Sequence, residues 1–402
     1  MLAVLAVVSG AYLFAHFVLD WLQQRFLFIS GFEYVALGVV LGPVAFPELA
    51  PFADLNGMAP VFAFAAGWVG LLFGLELRLG GGGLTGRPMR IAAVDGAVTG
   101  TTILLFGQWF FQSGLALPPV PPSQAWMAAG ALGCAAAAGS SSAVDLLSAR
   151  YRDGLQTSLL PMLRRASRLG DVLAISVFGV LFCLFHEGTT QRGDPGFSDW
   201  FLLTAGIGLV LGVLFFVYIG NARDENHVFL TMVGILLFAS GAAFFLHLSA
   251  LLVNLILGAV LAQTRQGAKL SGQLERTERP VSLVLLLFAG ALWEPVPLLP
   301  GVIVVLGFLG LRLVGKVVAS SLATVGTPLR TDLFRGMMSQ GNAAVAMALS
   351  LRLVYHGPAI DLAYTAILCG VVLHELISPR MLRGLLVDAG ELDQDIPAAR
   401  VA

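Results

Sequence analysis

Asp171 lies in the run Arg168-Leu169-Gly170-Asp171-Val172-Leu173-Ala174-Ile175-Ser176-Val177, whose composition is otherwise that of a membrane helix. A carboxylate at such depth is costly and is retained with a counter-charge, an ion or a proton to bind. Reversible capture of a cation or a proton is therefore the chemistry it suggests. Two candidate charge-balancing cations, Arg312 and Lys316, sit four residues apart on one helical face within Gly307 to Val318. Arg312 is the deeper, and Lys316 is expected to snorkel toward the cytoplasmic edge. Arg168, one turn before Asp171, could hold that acid ionised through an i, i+3 contact. Arg168 and Glu375, the latter near the inner end of the last apolar run, are candidate ion-pair residues. Asp95, close behind Arg90, reads as an interfacial acid.

Two apolar runs carry polar interruptions. Gly139-Ser140-Ser141-Ser142-Ala143-Val144-Asp145 places a glycine, three hydroxyls and an acid inside a small-residue stretch. Ser339-Gln340-Gly341-Asn342 does the same seven spans later. Serine competes for backbone hydrogen bonds and glycine is conformationally free, so each helix can unwind there and present amides and carbonyls at mid-membrane. Such half-helix ends coordinate ions in secondary transporters. Ser140, Ser141, Ser142 and Asp145 are thus candidate ion or proton ligands beside Asp171, and Gly139, Gly341 and Asn342 are the candidate breaks. Close helix association is the other use of such small residues.

These groups need helices to hold them, and composition supplies them. The chain is 57% hydrophobic and 12% charged, against about 25% charged in soluble domains. Apolar stretches recur to about residue 384, which predicts an all-α polytopic membrane protein of about thirteen spans. Their approximate bounds are 2–22, 30–44, 57–77, 90–112, 125–147, 158–184, 200–219, 228–247, 249–262, 281–293, 300–324, 336–354 and 362–384. Basic residues sort the loops. With the N-terminus outside and the C-terminus inside, Arg192 and Arg352 are the basic residues left outside, among acids such as Glu187, Glu294 and Asp361. The first run reads as a spanning helix, not a removable signal peptide. Links such as 148–157 and 263–280 are too short for a soluble domain, and 385–402 reads as a short cytoplasmic tail.

A net charge of -1 gives no reason to expect a nucleic-acid partner. Cys134, Cys183 and Cys369 fall in apolar runs and read as buried side chains. His247 and His374 are isolated, and with no metal-ligand spacing an enzyme is not expected.

Collinear segments now carry a resemblance. Gly38-Val39-Val40-Leu41-Gly42-Pro43, Gly70-Leu71-Leu72-Phe73-Gly74-Leu75-Glu76, Ser141-Ser142-Ala143-Val144, Gly170-Asp171-Val172-Leu173, Leu257-Gly258-Ala259-Val260-Leu261-Ala262 and Arg312-Leu313-Val314-Gly315-Lys316 follow one another. In that order the chain resembles the monovalent cation:proton antiporter superfamily, which includes sodium/proton and potassium/proton exchangers. The resemblance implies two inverted repeats (about 30–184 and 249–384 within a 1–384 membrane domain) with two crossed, broken helices. It also implies a dimerising scaffold, hence a homodimer, in a bacterial inner membrane. Asp171 would bind sodium or potassium and the proton in alternation, with no other cofactor. The sequence departs at Gly170, where the family has an acid or asparagine before the aspartate. Two rival readings stay open: a sodium-coupled symporter of an organic anion, and a transport-inactive regulatory membrane protein.

Overall fold

The computed structural model describes residues 31–42, 57–78, 86–114, 120–151, 159–186, 196–219, 225–264 and 267–392. The first expected span, 2–22, lies outside them, as does the tail beyond residue 392. The described regular structure is helical. In chain order it comprises α1 (Phe32–Leu41), α2 (Ala59–Leu75), α3 (Arg87–Gln112), α4 (Pro122–Ala137), α5 (Ser142–Arg150), α6 (Leu159–Leu184) and α7 (Phe197–Ile219). There follow α8 (Glu225–Phe245), α9 (Ala250–Ala262), α10 (Gly267–Ala291), α11 (Leu298–Thr324), a 3₁₀ turn (Thr331–Gly336), α12 (Asn342–Val354) and α13 (Pro358–Asp388). Among the described residues, 7 stretches are long and apolar enough to cross a membrane, and shorter apolar helices accompany them.

Local chemistry sets the helix starts. Pro60, Pro88, Pro122 and Pro358 stand in first turns, where a missing N–H costs nothing. Ser249 caps α9 by accepting from the Leu252 amide at 3.3 Å. Three expected boundaries move. The expected span 281–293 is only the end of α10, because the stretch read as a link from 263 is helical from Gly267 and Pro280 lies inside it. Next to that proline, the Ser282 hydroxyl donates to the Glu278 carbonyl at 2.6 Å. The span 336–354 starts as a helix only at Asn342, its first residues forming the second break. The last span runs on past Pro379 to Asp388, so helix extends into the expected tail.

Apolar side chains divide between inside and outside as they must in lipid. One buried cluster links Phe62's neighbours on α2 (Ala66, Val69, Phe73) with α4, α6, α12 and α13. A second joins the other face of α2 (Trp68, Leu72) to α7, α8 and α9. A third gathers Leu147, Leu163, Leu333 and Leu385 where α5, α6, the 3₁₀ turn and α13 meet. In contrast, Leu202, Val217 and Leu237 on α7 and α8 and Leu298 and Leu306 on α11 are exposed. Such surfaces are stable only against lipid or another apolar partner.

Two helix crossings are backbone to backbone. A Cβ on Gly74 of α2 would stand 2.3 Å from the Leu255 carbonyl oxygen of α9, and one on Gly258 of α9 would stand 2.5 Å from that of Leu71. The same reciprocity holds for Gly38 of α1 against Leu287, and for Gly290 of α10 against Val35, each at 2.0 Å. Small residues permit this approach, which within a bilayer is a main source of helix association. Gly258→Leu is therefore expected to destabilise the protein by more than the ~1–3 kcal/mol usual for overpacking. Thermal unfolding in detergent and the monodisperse fraction on size exclusion measure the effect. Gly234→Ala, where a Cβ meets nothing within 4 Å, is the neutral control.

Candidate functional site

The two polar interruptions meet. α4 is buried along its length from Met127 to Ala138. It stops at Ala138, whose φ of -57° and ψ of 134° leave the helix. Its orphan carbonyls find unusual partners. The Cys134 carbonyl accepts from the Ala138 amide at 3.0 Å, and that of Ala135 from the Gln340 side-chain amide at 2.7 Å. Those of Ala136 and Ala138 accept from the Arg312 Nε and Nη2, both at 3.1 Å. The same guanidinium donates from Nη1 to the Met338 carbonyl at 2.9 Å and from Nη2 to that of Ser339 at 3.4 Å. Arg312 is fully buried. Its planar fork ties the unwound end of α4 to the unwound stretch before α12.

Hydroxyls run across the junction in parallel. Ser140 and Ser142 share a hydrogen bond at 2.8 Å, and Ser142 reaches the Ser339 hydroxyl at 3.0 Å. Gly341 lets the strands touch, since a Cβ there would sit 2.4 Å from the Ser140 Oγ. Asn342, the first residue of α12, donates to the Ser282 hydroxyl of α10 at 2.5 Å.

Asp171 faces this junction from α6. It is 3% exposed, and its Oδ1 is buried with no hydrogen-bond partner. The hydroxyl of Ser167, one turn earlier on the same face, is likewise buried and unpartnered. This part of α6 packs at the α4 break: Gly139 lies against Ser167, and the point where Gly170 would carry a Cβ is 3.9 Å from the Ala137 carbonyl oxygen. A carboxylate, a hydroxyl and a backbone carbonyl are all oxygen ligands, the kind that suits hard cations.

No family model matches this chain, and no curated protein matches it. Among solved structures it is similar to the sodium proton antiporter MjNhaP1 from Methanocaldococcus jannaschii, at pH 8, with a TM-score of 0.60 and 17% identity over 94% of this chain and 97% of that one. The chain shares the fold of that antiporter.

Within this antiporter fold the remaining charges settle into pairs that the sequence did not announce. Lys316 does not snorkel. It is 1% exposed and bonds the Asp95 Oδ2 at 2.5 Å, while Thr99 donates to Oδ1 at 3.2 Å. Asp95 is thus a buried partner, not an interfacial acid, because α3 lies against α11 along its length. Arg168 forms an ion pair with Glu76, at the end of α2. Glu375 is 6% exposed near the start of α1 and has no ion pair among the described residues. Asp145 is bound by Arg164 and by the Ser141 hydroxyl at 2.8 Å, and its side chain is 42% exposed. That places it toward an outer edge of the junction, away from the buried face of Asp171.

Ser167 is the neighbour that sequence reading passed over; Gln340, Asp95 and Glu76 lie in segments it named, without the partners they have here. Ser167 was findable from its four-residue spacing to Asp171. Asp95 and Gln340 were not, since their roles exist only through contacts far along the chain. For the buried pair, Asp95→Asn is expected to cost about 3–5 kcal/mol by stranding the Lys316 ammonium. The double variant Asp95→Asn with Lys316→Met should recover most of that loss. Thermal unfolding of the four proteins in detergent closes the cycle, and a single variant as stable as wild type would show the pair to be dispensable.

Proposed function

We propose that the protein is a secondary antiporter that exchanges sodium or potassium for protons, with Asp171 binding cation and proton in competition. The observation that carries this reading is the buried Asp171 carboxylate, its Oδ1 without a hydrogen-bond partner, on the part of α6 that packs at the α4 break, in a chain with this fold. Ser167 and the Ala137 carbonyl are the next ligands, and the Ser140, Ser142 and Ser339 hydroxyls lie on the approach. Arg312 is committed to backbone carbonyls, so it is not a receptor for a substrate carboxylate. That disfavours the symporter of an organic anion.

Several finer features belong to the same reading. Two inverted repeats are supported by the reciprocal crossings, α1 with α10 and α2 with α9, if α1 corresponds to α9 and α2 to α10. The same correspondence pairs α3 with α11, the α4 break with the α12 break, and α6 with α13. Some thirteen spans, an outside N-terminus and an inside C-terminus follow from the basic residues, and a homodimer in a bacterial inner membrane completes the assignment. One carboxylate per site implies one proton for one monovalent cation. Alternating exposure would come from movement of the helices that carry both breaks.

The decisive experiment follows internal pH with a dye in proteoliposomes while sodium or potassium gradients are imposed. Wild type is expected to move protons against at least one of the two ions, and Asp171→Asn to move none. Exchange that survives in Asp171→Asn removes the mechanism. Competition also fixes a pH dependence. Protons compete for the same oxygen atoms, so the apparent KM for the cation should rise as pH falls, approaching about tenfold per pH unit where the site is mostly protonated. A KM that is flat from pH 6 to 9, with only Vmax changing, would point to separate proton and cation sites.

A further inference from the structure

We propose that Arg352 is the outer latch of the site: its ion pair with Glu294 holds α12 and α13 against the end of α10 and so closes the approach to Asp171 from the outer face. The inference rests on the antiport reading above and names a contact that governs outward opening. Arg352 and Glu294 lie on the face that the basic residues mark as outer, where Arg352 is an exception to the charge sorting. Its partners explain the exception. Arg352 stands in the last turn of α12 and Asp361 in the first turn of α13, so each suits the dipole of its own helix. The guanidinium divides between Asp361, 2.6 Å from Nη1, and Glu294, 2.5 Å from Nη2. The Arg352 side chain is 13% exposed and that of Glu294 58%.

The two halves of the fork differ in what they join. Asp361 lies on α13, which packs on α12, so that half stays within one body. Glu294 follows the end of α10, and this end of α10 is fixed to α1 by the backbone crossing at Gly290. α12 is tied instead to α4, through the carbonyls that Arg312 binds at both breaks. The Glu294 half therefore crosses from the helices that carry the breaks to the pair of α1 and α10. Neighbouring bonds cross beside it. The Trp293 indole N–H donates to the Thr365 hydroxyl at 3.2 Å, and the Tyr364 hydroxyl to the Ala289 carbonyl at 2.6 Å. Tyr364 and Ile360 are 1% and 0% exposed, so this edge is shut, while Ser140, Ser141 and Ser142 at the break are partly exposed. Opening the site to the outer face must part these bonds, and of the three only the ion pair ends on an exposed side chain.

Glu294→Gln is expected to lower the apparent KM for a cation presented at the outer face by about threefold, the population shift set by a pair with one exposed partner. The KM at the inner face should not fall. Sodium and, separately, potassium are tested in right-side-out and inside-out membrane vesicles. Asp361→Asn removes an ion pair of similar length that stays within one body, and it should leave the outer KM unlowered. A second measurement uses a chain whose three cysteines are replaced by alanine. There, Glu294→Cys and Arg352→Cys joined by a short, reducible bifunctional thiol reagent should stop exchange, and reduction should restore it. An unchanged outer KM in Glu294→Gln, an equal fall on both faces, an equal fall in Asp361→Asn, or full exchange in the cross-linked protein overturns the latch. A wild type that exchanges neither ion brings down the antiport reading itself, which is a different result.

Discussion

The arrangement of the whole centre depends on how two broken helices dispose of their carbonyl groups. In lipid an orphan carbonyl has no water to turn to, and each one left unsatisfied is costly. Arg312 receives four of them from two separate breaks, and Gln340 a fifth. A lysine could not do this, because a compact ammonium has no planar fork to span two strands. The breaks can therefore exist at this depth only together and only around this side chain. The same contact explains why α11 lies beside the junction, and why α3, packed along α11, must bring Asp95 to neutralise Lys316 one turn further on.

What Arg312 leaves unsatisfied is as informative as what it binds. It covers the α4 break on one side, while the Ala137 carbonyl looks the other way, toward α6. There the two polar side chains of one helical face, Ser167 and Asp171, are buried without partners. Buried polar groups are almost always paired, so unpaired ones at a functional depth are the expected mark of a place kept for a mobile ligand. Burial has a second effect. It makes an empty, ionised Asp171 costly, which on the antiport reading favours a carboxylate that holds either a proton or a cation.

Much of the frame was legible in the sequence because lipid imposes simple rules. Apolar length gave most spans, and the serine and glycine clusters at 139–142 and 339–341 marked where the chain leaves the helix. Asp171 stood out as a charge in an apolar run. Partner choice was not legible. Lys316 read as a snorkelling residue because its sequence neighbours say nothing of Asp95, 221 positions away. Arg168 was expected near Asp171 from helical spacing, yet the adjacent end of α2 offers it Glu76 in a better position. The α10 boundary was misread for another reason: Pro280 and a polar stretch resemble a link, while Ser282 and the rest of the helix accommodate the proline.

The departure at Gly170 follows from the same accounting of charge. A second acid or amide beside Asp171 would be needed if Arg312 required a carboxylate to balance it. It does not, because its partners are carbonyls at the unwound end of α4 and beside the 3₁₀ turn, and a full helix end carries about half a negative charge. Backbone dipoles thus offset much of the guanidinium, Asp95 offsets Lys316, and Glu76 offsets Arg168. Asp171 differs from these acids in that its buried Oδ1 has no hydrogen-bond partner. On the antiport reading, a glycine at 170 is compatible with turnover, because neither Arg312 nor Lys316 makes its hydrogen bonds to a residue at that position.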